Sequence, residues 1–249
     1  MSRMKFMNTE IDNLTMQETL QAIDRLIQED RSAYVVTPNV DHIVQLETSK
    51  ELQAVYENAS LILTDGKPLL WIAKWYGTPI KEKISGSDLL PLLCDMAAKK
   101  GYKMFFLGAA EGVAAKAAEN LANKFKGLQV VGTYSPPFGF EKDPVEMDKI
   151  KSMIKETSPH ILIVGLGCPK QEKFMYHHCK ELGVPISFGL GASFDFEAGN
   201  IKRAPRWMSN HGLEWLFRIT QDPKRMAKRY LVDDRKILGL AIKYRKGSR

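Results

Sequence analysis

The chain has 249 residues, a hydrophobic content of 44% and a mean hydropathy of −0.25, values typical of a water-soluble protein with a full apolar core. No apolar run approaches the roughly 18 residues that a membrane-spanning helix needs. The N-terminal segment reaches Glu10 too soon to hold the apolar core of a signal peptide, so we expect a cytoplasmic protein. Cys94, Cys168 and Cys179 form no CxxC pair, which argues against a disulfide framework or a zinc site.

The net charge of +7 is unevenly distributed along the chain. Residues 202–249 carry 14 Lys and Arg against 4 Asp and Glu, whereas residues 1–201 carry 22 against 25. A basic C-terminal segment of this kind favours a polyanionic partner, either nucleic acid or an anionic membrane surface. A merely solvated basic tail has the same composition and is the alternative.

Apolar strand-like runs alternate with amphipathic helical stretches from the N-terminus onward. The predicted strands are short and apolar, and they cover residues 33–36, 61–63, 104–107, 129–131, 161–164 and 185–188. The predicted helices have apolar residues at helical spacing, and they cover residues 14–29, 41–58, 87–100, an alanine-rich stretch to about 125, 143–157 and a segment from 170. This alternation predicts an α/β fold with a Rossmann-like, doubly wound, mostly parallel sheet.

The character of the sequence changes near Ala204 and Pro205, where β-type runs stop and charge density rises. We therefore predict a Rossmann-like core over residues 1–204 and a basic helical appendage over residues 205–249. One short helix is predicted over 211–220, and another begins at Pro223. Apolar and aromatic side chains then fall near one face, namely Met226, Tyr230, Ile237, Leu238, Ala241 and Tyr244. This pattern fits a helix lying on an anionic membrane, and a helix packed on its own domain is the alternative.

The segment Ile161–Glu172 is the most informative part of the chain. A buried strand is followed by two glycines, after which Pro169 begins a helix whose first turn contains Lys170, Gln171 and Glu172. Ligands of open α/β sheets bind at the carboxyl ends of strands, beside helix N-termini. The segment is therefore either the wall of a binding site or an ordinary tight turn between a strand and a helix.

Several other predicted strands also end in unusual polar residues or glycines. Because the carboxyl ends of parallel strands meet at one edge, a shared cleft is predicted for Thr37, Asn39, Asp65, Gly108, Gln171 and Ser193. Asp65 is the best candidate for a general base, although an Asp before Gly commonly hydrogen-bonds within its own turn. The stretch from Gly108 to Gly112 opens a helix and offers backbone N–H groups to a phosphate.

Three further motifs are interpreted as structural. Asp195 and Glu197 resemble a metal-binding acidic pair, but such pairs are common by chance. His177 and His178 are adjacent on a helix and therefore point apart, unlike the i, i+4 spacing that metal binding favours. The Gly165-Leu-Gly167 turn has Lys170 where a dinucleotide fingerprint needs a third glycine.

The chain resembles the WecG/TagA/CpsF family of bacterial glycosyltransferases over nearly its whole length. The matching motifs follow one another in the family's order and are Thr37-Pro-Asn39, Thr64-Asp65-Gly66, Gly86-Ser-Asp88, Leu107-Gly-Ala109, Gly165–Glu172, Gly191–Asp195, Lys202–Pro205 and Gly212–Trp215. The resemblance implies a UDP-sugar donor, a polyprenyl-diphosphate-linked sugar acceptor, and inversion at the anomeric carbon without a cofactor or divalent metal. It also implies a peripheral location on the inner face of the cell membrane.

The resemblance also implies roles for individual residues. Asp65 would be the catalytic base, and the substrates would be held by Thr37, Asn39, Gln171 and the neighbouring Glu172, with Gly108 and Ser193 as further contacts. Lys83 stands where the family usually has an arginine, so it keeps the charge but loses the bidentate fork. The appendage would supply Arg218 and Arg225. A third cation is expected near Lys228 or Arg229, and we place it at Arg229. Such cations suit a departing UDP.

We expect transfer of N-acetylmannosamine from its UDP derivative to undecaprenyl-diphosphate-linked N-acetylglucosamine, in teichoic acid synthesis. A first alternative keeps this mechanism with UDP-glucose, UDP-galactose or UDP-N-acetylmannosaminuronic acid as the donor, in capsule or exopolysaccharide synthesis. A second alternative is a Rossmann-like nucleic-acid-binding protein, which the basic tail favours but for which no recognition motif is present. Self-association through surfaces near the tail is a further expectation, and no nucleic-acid partner is expected in the first two cases.

Overall fold

A computed structural model describes residues 3–228, 230 and 234–246, and gives no side-chain description for residues 206, 210, 225 and 246. The β-strands of these residues are β1 (Arg3–Phe6), β2 (Thr9–Asp12), β3 (Ala33–Val36), β4 (Leu61–Ile62), β5 (Lys103–Gly108), β6 (Gln129–Tyr134), β7 (Ile161–Gly165) and β8 (Ile186–Gly189). The helices of the first half are α1 (Met16–Glu29), α2 (Val40–Leu46), α3 (Lys50–Glu57), α4 (Lys67–Tyr76), α5 (Gly86–Lys100) and α6 (Val113–Lys124). A short 3-10 helix (Phe140–Lys142) precedes the helices of the second half, α7 (Pro144–Thr157), α8 (Lys170–Leu182), α9 (Gly191–Ala198), α10 (Arg206–Asn210), α11 (Glu214–Gln221), α12 (Pro223–Lys228) and α13 (Lys236–Lys246).

Six strands form one parallel sheet in the order β4-β3-β8-β7-β5-β6. Side chains alternate between its faces, so that Leu162 and Val164 of β7 join one apolar cluster and Ile161 and Ile163 join the other. Helices α1, α5 and α6 cover one face, and α2, α3, α4, α7 and α8 cover the other. The predicted doubly wound, mostly parallel α/β fold is thereby confirmed.

Some predicted elements differ from the structure in their boundaries or number. The single helix expected over residues 41–58 is two helices, because Ser49 caps α3 by accepting a hydrogen bond from the backbone N–H of Leu52 at 3.2 Å. The antiparallel hairpin of β1 and β2, and the helices α4 and α9, were not predicted. Each of these elements is short or lies beside glycine and proline, where periodicity is a weak signal.

The C-terminal helices begin close to the predicted boundary at residue 205. The helix expected over 211–220 is α11, which begins three residues later, and the helix beginning at Pro223 is described as far as Lys228. Ile237 and Ala241 of α13 are buried in the same apolar cluster as α4, and the Tyr76 hydroxyl donates to the carbonyl of Ala241 at 2.7 Å. Among the described residues, no helix combines the length and apolar character needed to cross a bilayer.

Candidate active site

A cavity of about 430 Å³ opens beside the carboxyl ends of β3 and β4. Its walls come from the loops after these two strands, from the start of α4 and from the C-terminal helices. The lining residues are Asn39, Val40, Asp65, Gly66, Lys67, Pro68, Lys83, Ser209, Gly212, Glu214, Trp215, Arg218, Tyr230, Asp234, Arg235, Ile237 and Leu238. The cavity therefore brings together four of the predicted site residues, Asn39, Asp65, Lys83 and Arg218.

Asp65 is held in the cavity wall by the backbone around it. Its N–H donates to the carbonyl of Pro38 at 2.8 Å, and the carbonyl of Thr64 accepts from the N–H of Ile84 at 2.8 Å. These bonds connect the loop after β4 to the loop after β3 and to the segment before α5. Gly66 then adopts a φ of 100°, a left-handed value that favours glycine, and begins α4. The backbone at Asp65 is therefore held between two neighbouring loops and the start of α4.

The surroundings of Asp65 give it the acidity of a general base. Burial raises the pKa of Asp65 to about 6. The positive charges of Arg218 and Lys83 oppose this rise in pKa, whereas the negative charge of Glu214 adds to it. A carboxyl with this pKa is mostly ionised at neutral pH, yet binds a proton more readily than an exposed aspartate does.

Of the cations that line the described cavity, Arg218 and Lys83 are each paired with an acid. The guanidinium of Arg218 donates through Nη2 to Glu214 Oε1 at 2.7 Å, and the carbon Cζ of Arg218 lies 5.5 Å from the ring centroid of Phe196. Lys83 Nζ lies 3.2 Å from Asp88 Oδ2. The buried Nε of Arg218 has no hydrogen-bond partner within the part of the chain that the structure describes. Arg218 is thus held in place at the cavity wall by Glu214 and Phe196.

Five predicted site residues lie near the same sheet edge but outside the described lining of the cavity, namely Thr37, Gly108, Gln171, Glu172 and Ser193. Thr37, Gln171, Glu172 and Ser193 are buried. A Cβ atom at Gly108 would lie 2.5 Å from the carbonyl oxygen of Gly165, so this glycine allows close packing of two strand ends. Substrate contacts of these five residues stay predictions.

The remaining predicted cations cannot be assigned to the cavity from the structure. Arg229 lies outside the described residues, and Arg225 belongs to α12 but its side chain is not among those described. Their roles also stay predictions.

Sequence reasoning did not single out several cavity residues. Trp215 and Glu214 belong to the quoted Gly212–Trp215 motif, which could have identified them, whereas no pattern indicated Asp234 and Tyr230 was named only as part of an apolar helix face. His42 was also missed, although it is buried and lies 3.2 Å from Glu172. The available signal was that His42 follows Asn39 by three residues at the start of a helix, which is the spacing of a capping box.

Comparison with known proteins gives a consistent result. Residues 4–249 match the model of the glycosyl transferase WecG/TagA/CpsF family. A protein of Bacillus spizizenii named N-acetylglucosaminyldiphosphoundecaprenol N-acetyl-beta-D-mannosaminyltransferase is 34% identical over 200 residues, covering 80% of this chain and 75% of the relative. Proteins with the same name are 29% identical in Bacillus subtilis, over 80% of this chain and 75% of the relative, and 24% identical in Staphylococcus aureus, over 91% and 88%.

Proposed function

The chain belongs to the WecG/TagA/CpsF family of glycosyltransferases, and from this membership we propose that it transfers N-acetylmannosamine from UDP-N-acetylmannosamine to undecaprenyl-diphosphate-linked N-acetylglucosamine. Its relatives carry the name of that activity. The observation in the structure that supports the proposal best is one cavity that joins a carboxyl of raised pKa, Asp65, to the cations Arg218 and Lys83. The product would enter teichoic acid linkage-unit synthesis.

The proposed reaction is a single displacement with inversion. The Asp65 carboxylate takes the proton of the acceptor hydroxyl while that oxygen forms a bond to the anomeric carbon of the donor sugar. The bond between this carbon and the diphosphate oxygen breaks, and its electron pair leaves with UDP. Arg218 and Lys83 stabilise the charge that develops on the departing diphosphate. We expect no divalent metal, as the family resemblance implies.

The first test is UDP release from a panel of UDP-sugars, with a lipid-diphosphate-linked N-acetylglucosamine acceptor and EDTA present. We expect release with UDP-N-acetylmannosamine and none without acceptor, because attack by the acceptor hydroxyl breaks the bond to UDP. Release only with UDP-glucose, UDP-galactose or the uronic acid would replace the proposed donor and keep the mechanism. Activity that disappears in EDTA and returns with Mg²⁺ would contradict the metal-independent mechanism.

A membrane-facing surface around the cavity mouth would deliver the lipid-linked acceptor. Large apolar side chains are exposed on α4 and the C-terminal helices, namely Trp71, Trp75, Trp207, Trp215, Leu216, Leu238 and Ile242. Trp71 contacts the loop at Gly212, and the guanidinium of Arg245 lies 4.1 Å from the ring centroid of Trp75, so α4 and the C-terminal helices are neighbours. Aromatic and basic side chains together suit the interface of an anionic bilayer. We therefore propose peripheral binding to the inner face of the cell membrane.

Replacing Trp75 and Ile242 together by glutamine should weaken binding to phosphatidylglycerol-containing vesicles by at least about tenfold, since each buried apolar side chain contributes on the order of 1–2 kcal/mol. Neither residue lines the cavity, so activity on a detergent-solubilised acceptor should be unchanged. Vesicle sedimentation measures the binding. Phe138→Gln is the matched control, because Phe138 is 98% exposed and lies between β6 and α7. Equal binding by the double variant and the wild type would contradict this surface.

A further inference from the structure

A buried pair of titratable side chains lies directly behind the cavity. His42 of α2 and Glu172 of α8 are 4% and 1% exposed, and His42 Nε2 lies 3.2 Å from Glu172 Oε1. On the opposite side of the imidazole ring, Nδ1 lies 3.0 Å from Asn39 Oδ1. A continuous hydrogen-bonded path therefore leads from the buried carboxyl to Asn39, which lines the cavity.

Gln171 directs a second N–H donor at the Glu172 oxygen that faces His42. The backbone N–H of Gly191 donates to Gln171 Oε1 at 3.2 Å, which directs the amide nitrogen of Gln171 toward Glu172 Oε1 at 2.8 Å. Close packing against Gly189 and Gly191 holds the Gln171 side chain in this orientation. Glu172 Oε1 thus faces two nitrogen donors, whereas its buried Oε2 has no hydrogen-bond partner among the described residues.

A buried carboxylate needs a compensating charge, and His42 is placed to supply it. Burial alone would lower the pKa of His42, but the hydrogen bonds to Cys168 and Glu172 raise it well above its usual value. The other titratable groups whose charges act within this cluster are Asp41 of α2, Tyr56 of α3 and Asp65 after β4. An imidazolium donates from both nitrogens, so Nε2 donates to Glu172. Nδ1 then donates to Asn39 Oδ1 at 3.0 Å rather than accepting from the Asn39 backbone N–H, which lies farther away at 3.4 Å.

This arrangement fixes the direction of the Asn39 amide. Asn39 Oδ1 caps α2 by accepting from the backbone N–H groups of Asp41 and His42 at 3.1 and 3.4 Å, in addition to the imidazole. Because its oxygen is bound within the helix cap, any hydrogen bond from the Asn39 side chain to a cavity ligand must be donated by Nδ2. A free asparagine side chain could present either its oxygen or its nitrogen.

We propose that His42, held by Glu172, is a positioning residue that fixes Asn39 in the cavity as a hydrogen-bond donor to an oxygen of the bound sugar nucleotide. The inference rests on the proposed function, because it assumes that this cavity is where the substrates react. His42 itself does not touch the reacting atoms, and it acts through Asn39.

A bound metal ion is the competing explanation of the cluster, because donor atoms of His42, Cys168 and Glu172 lie within 4.8 Å of one another. Two of these atoms already face N–H donors. Gln45 Nε2 donates to Cys168 Sγ at 3.4 Å, and Gln171 Nε2 donates to Glu172 Oε1. Both N–H dipoles would point their positive ends at a cation, which favours the hydrogen-bonded pair over a metal site.

A double-mutant cycle tests the proposal in the full-length protein. The variants are His42→Ala, Asn39→Ala and their combination, with kcat/KM for UDP-N-acetylmannosamine and the thermal unfolding midpoint measured for each. We expect each single variant to lose roughly tenfold in kcat/KM, the loss of about one substrate hydrogen bond. The double variant should be no worse than Asn39→Ala alone, because His42 acts through Asn39.

Two further variants separate positioning from folding. Glu172→Gln keeps the side-chain volume and removes the charge, and it should reproduce the kcat/KM loss of His42→Ala without loss of a folded state. His177→Ala is the matched control, because His177 is exposed on α8 and pairs with Glu51, and it should keep wild-type activity.

Several outcomes would overturn the proposal. These are multiplicative losses in the double variant, wild-type kcat/KM in His42→Ala, and stoichiometric zinc in the purified protein that Cys168→Ser releases. A wild-type protein that binds UDP but transfers no sugar would count against the proposed function alone. The same cycle would then be measured on UDP affinity by calorimetry, with the same expected non-additivity.

Discussion

Asp65→Asn should lower kcat for sugar transfer by about 10²- to 10⁴-fold, the range observed when a general base is removed. Asparagine has nearly the same shape as aspartate but cannot accept the proton of the acceptor hydroxyl. The backbone hydrogen bonds that hold residue 65 do not involve its side chain, so the variant should fold and bind UDP as the wild type does. The measurement is single-turnover UDP release, with UDP affinity measured in parallel.

The pH dependence of the wild type provides the discriminating observation. The base is active when ionised, and the pKa of Asp65 is raised to about 6. Therefore kcat/KM should be flat at higher pH and fall about tenfold per pH unit below about 6. Asp65→Asn should lose this acid limb, whereas the control Asp148→Asn, which changes an aspartate whose side chain is 77% exposed, should keep it. An acid limb unchanged in Asp65→Asn would assign the base to another group.

Arg218→Ala should lower kcat by roughly 10²- to 10³-fold, the loss found when one preorganised donor to a developing negative charge is removed. Arg218 projects into the cavity from α11, and Glu214 and the ring of Phe196 hold its guanidinium before any ligand binds. Arg218→Lys should recover part of the activity, because lysine keeps the charge but loses the planar fork. Steady-state kinetics with saturating donor measure both variants.

The control for Arg218 is Arg31→Ala, because Arg31 is exposed just after α1, is not among the residues that line the cavity, and pairs only loosely with Glu29 at 3.9 Å. This control should leave kcat and KM unchanged. A higher KM with unchanged kcat in Arg218→Ala would indicate that Arg218 binds substrate and transition state equally. That result would contradict a role in stabilising the departing diphosphate.

Much of the fold was predictable because its strands are short apolar runs separated by helical periodicity. The six strands of the main sheet were all predicted, and Ile161–Gly165 shows why, since all of its residues are buried. The break between α2 and α3 was not predicted, because it depends on the hydroxyl of Ser49 acting as a cap rather than on periodicity. Helix α4 was not predicted because its N-terminus contains Gly66, Lys67 and Pro68, a composition that equally favours a loop.

The candidate site was only partly predictable, for a different physical reason. Strand-end reasoning placed Asp65 and Asn39 at one edge, and both line the cavity. The position of a residue at a strand end does not determine whether its side chain points into the cavity. The Gln171 side chain instead forms hydrogen bonds with Glu172 and Gly191. Arg218 was identified through the family resemblance alone, because no local pattern shows that α11 packs across a sheet edge formed about 150 residues earlier.

The strand order has a consequence for how the protein is made. The last strand of the sheet, β8, lies between β3 and β7, so the two halves of the sheet have no shared hydrogen bonds until residues 186–189 have been synthesised. Up to that moment the nascent chain holds two partial sheets with open inner edges, the kind of edge that pairs with other chains. A truncated messenger RNA would therefore yield fragments that aggregate, rather than an enzyme with reduced activity. On the ribosome, the residues of the cavity can meet only after nearly the whole chain has emerged.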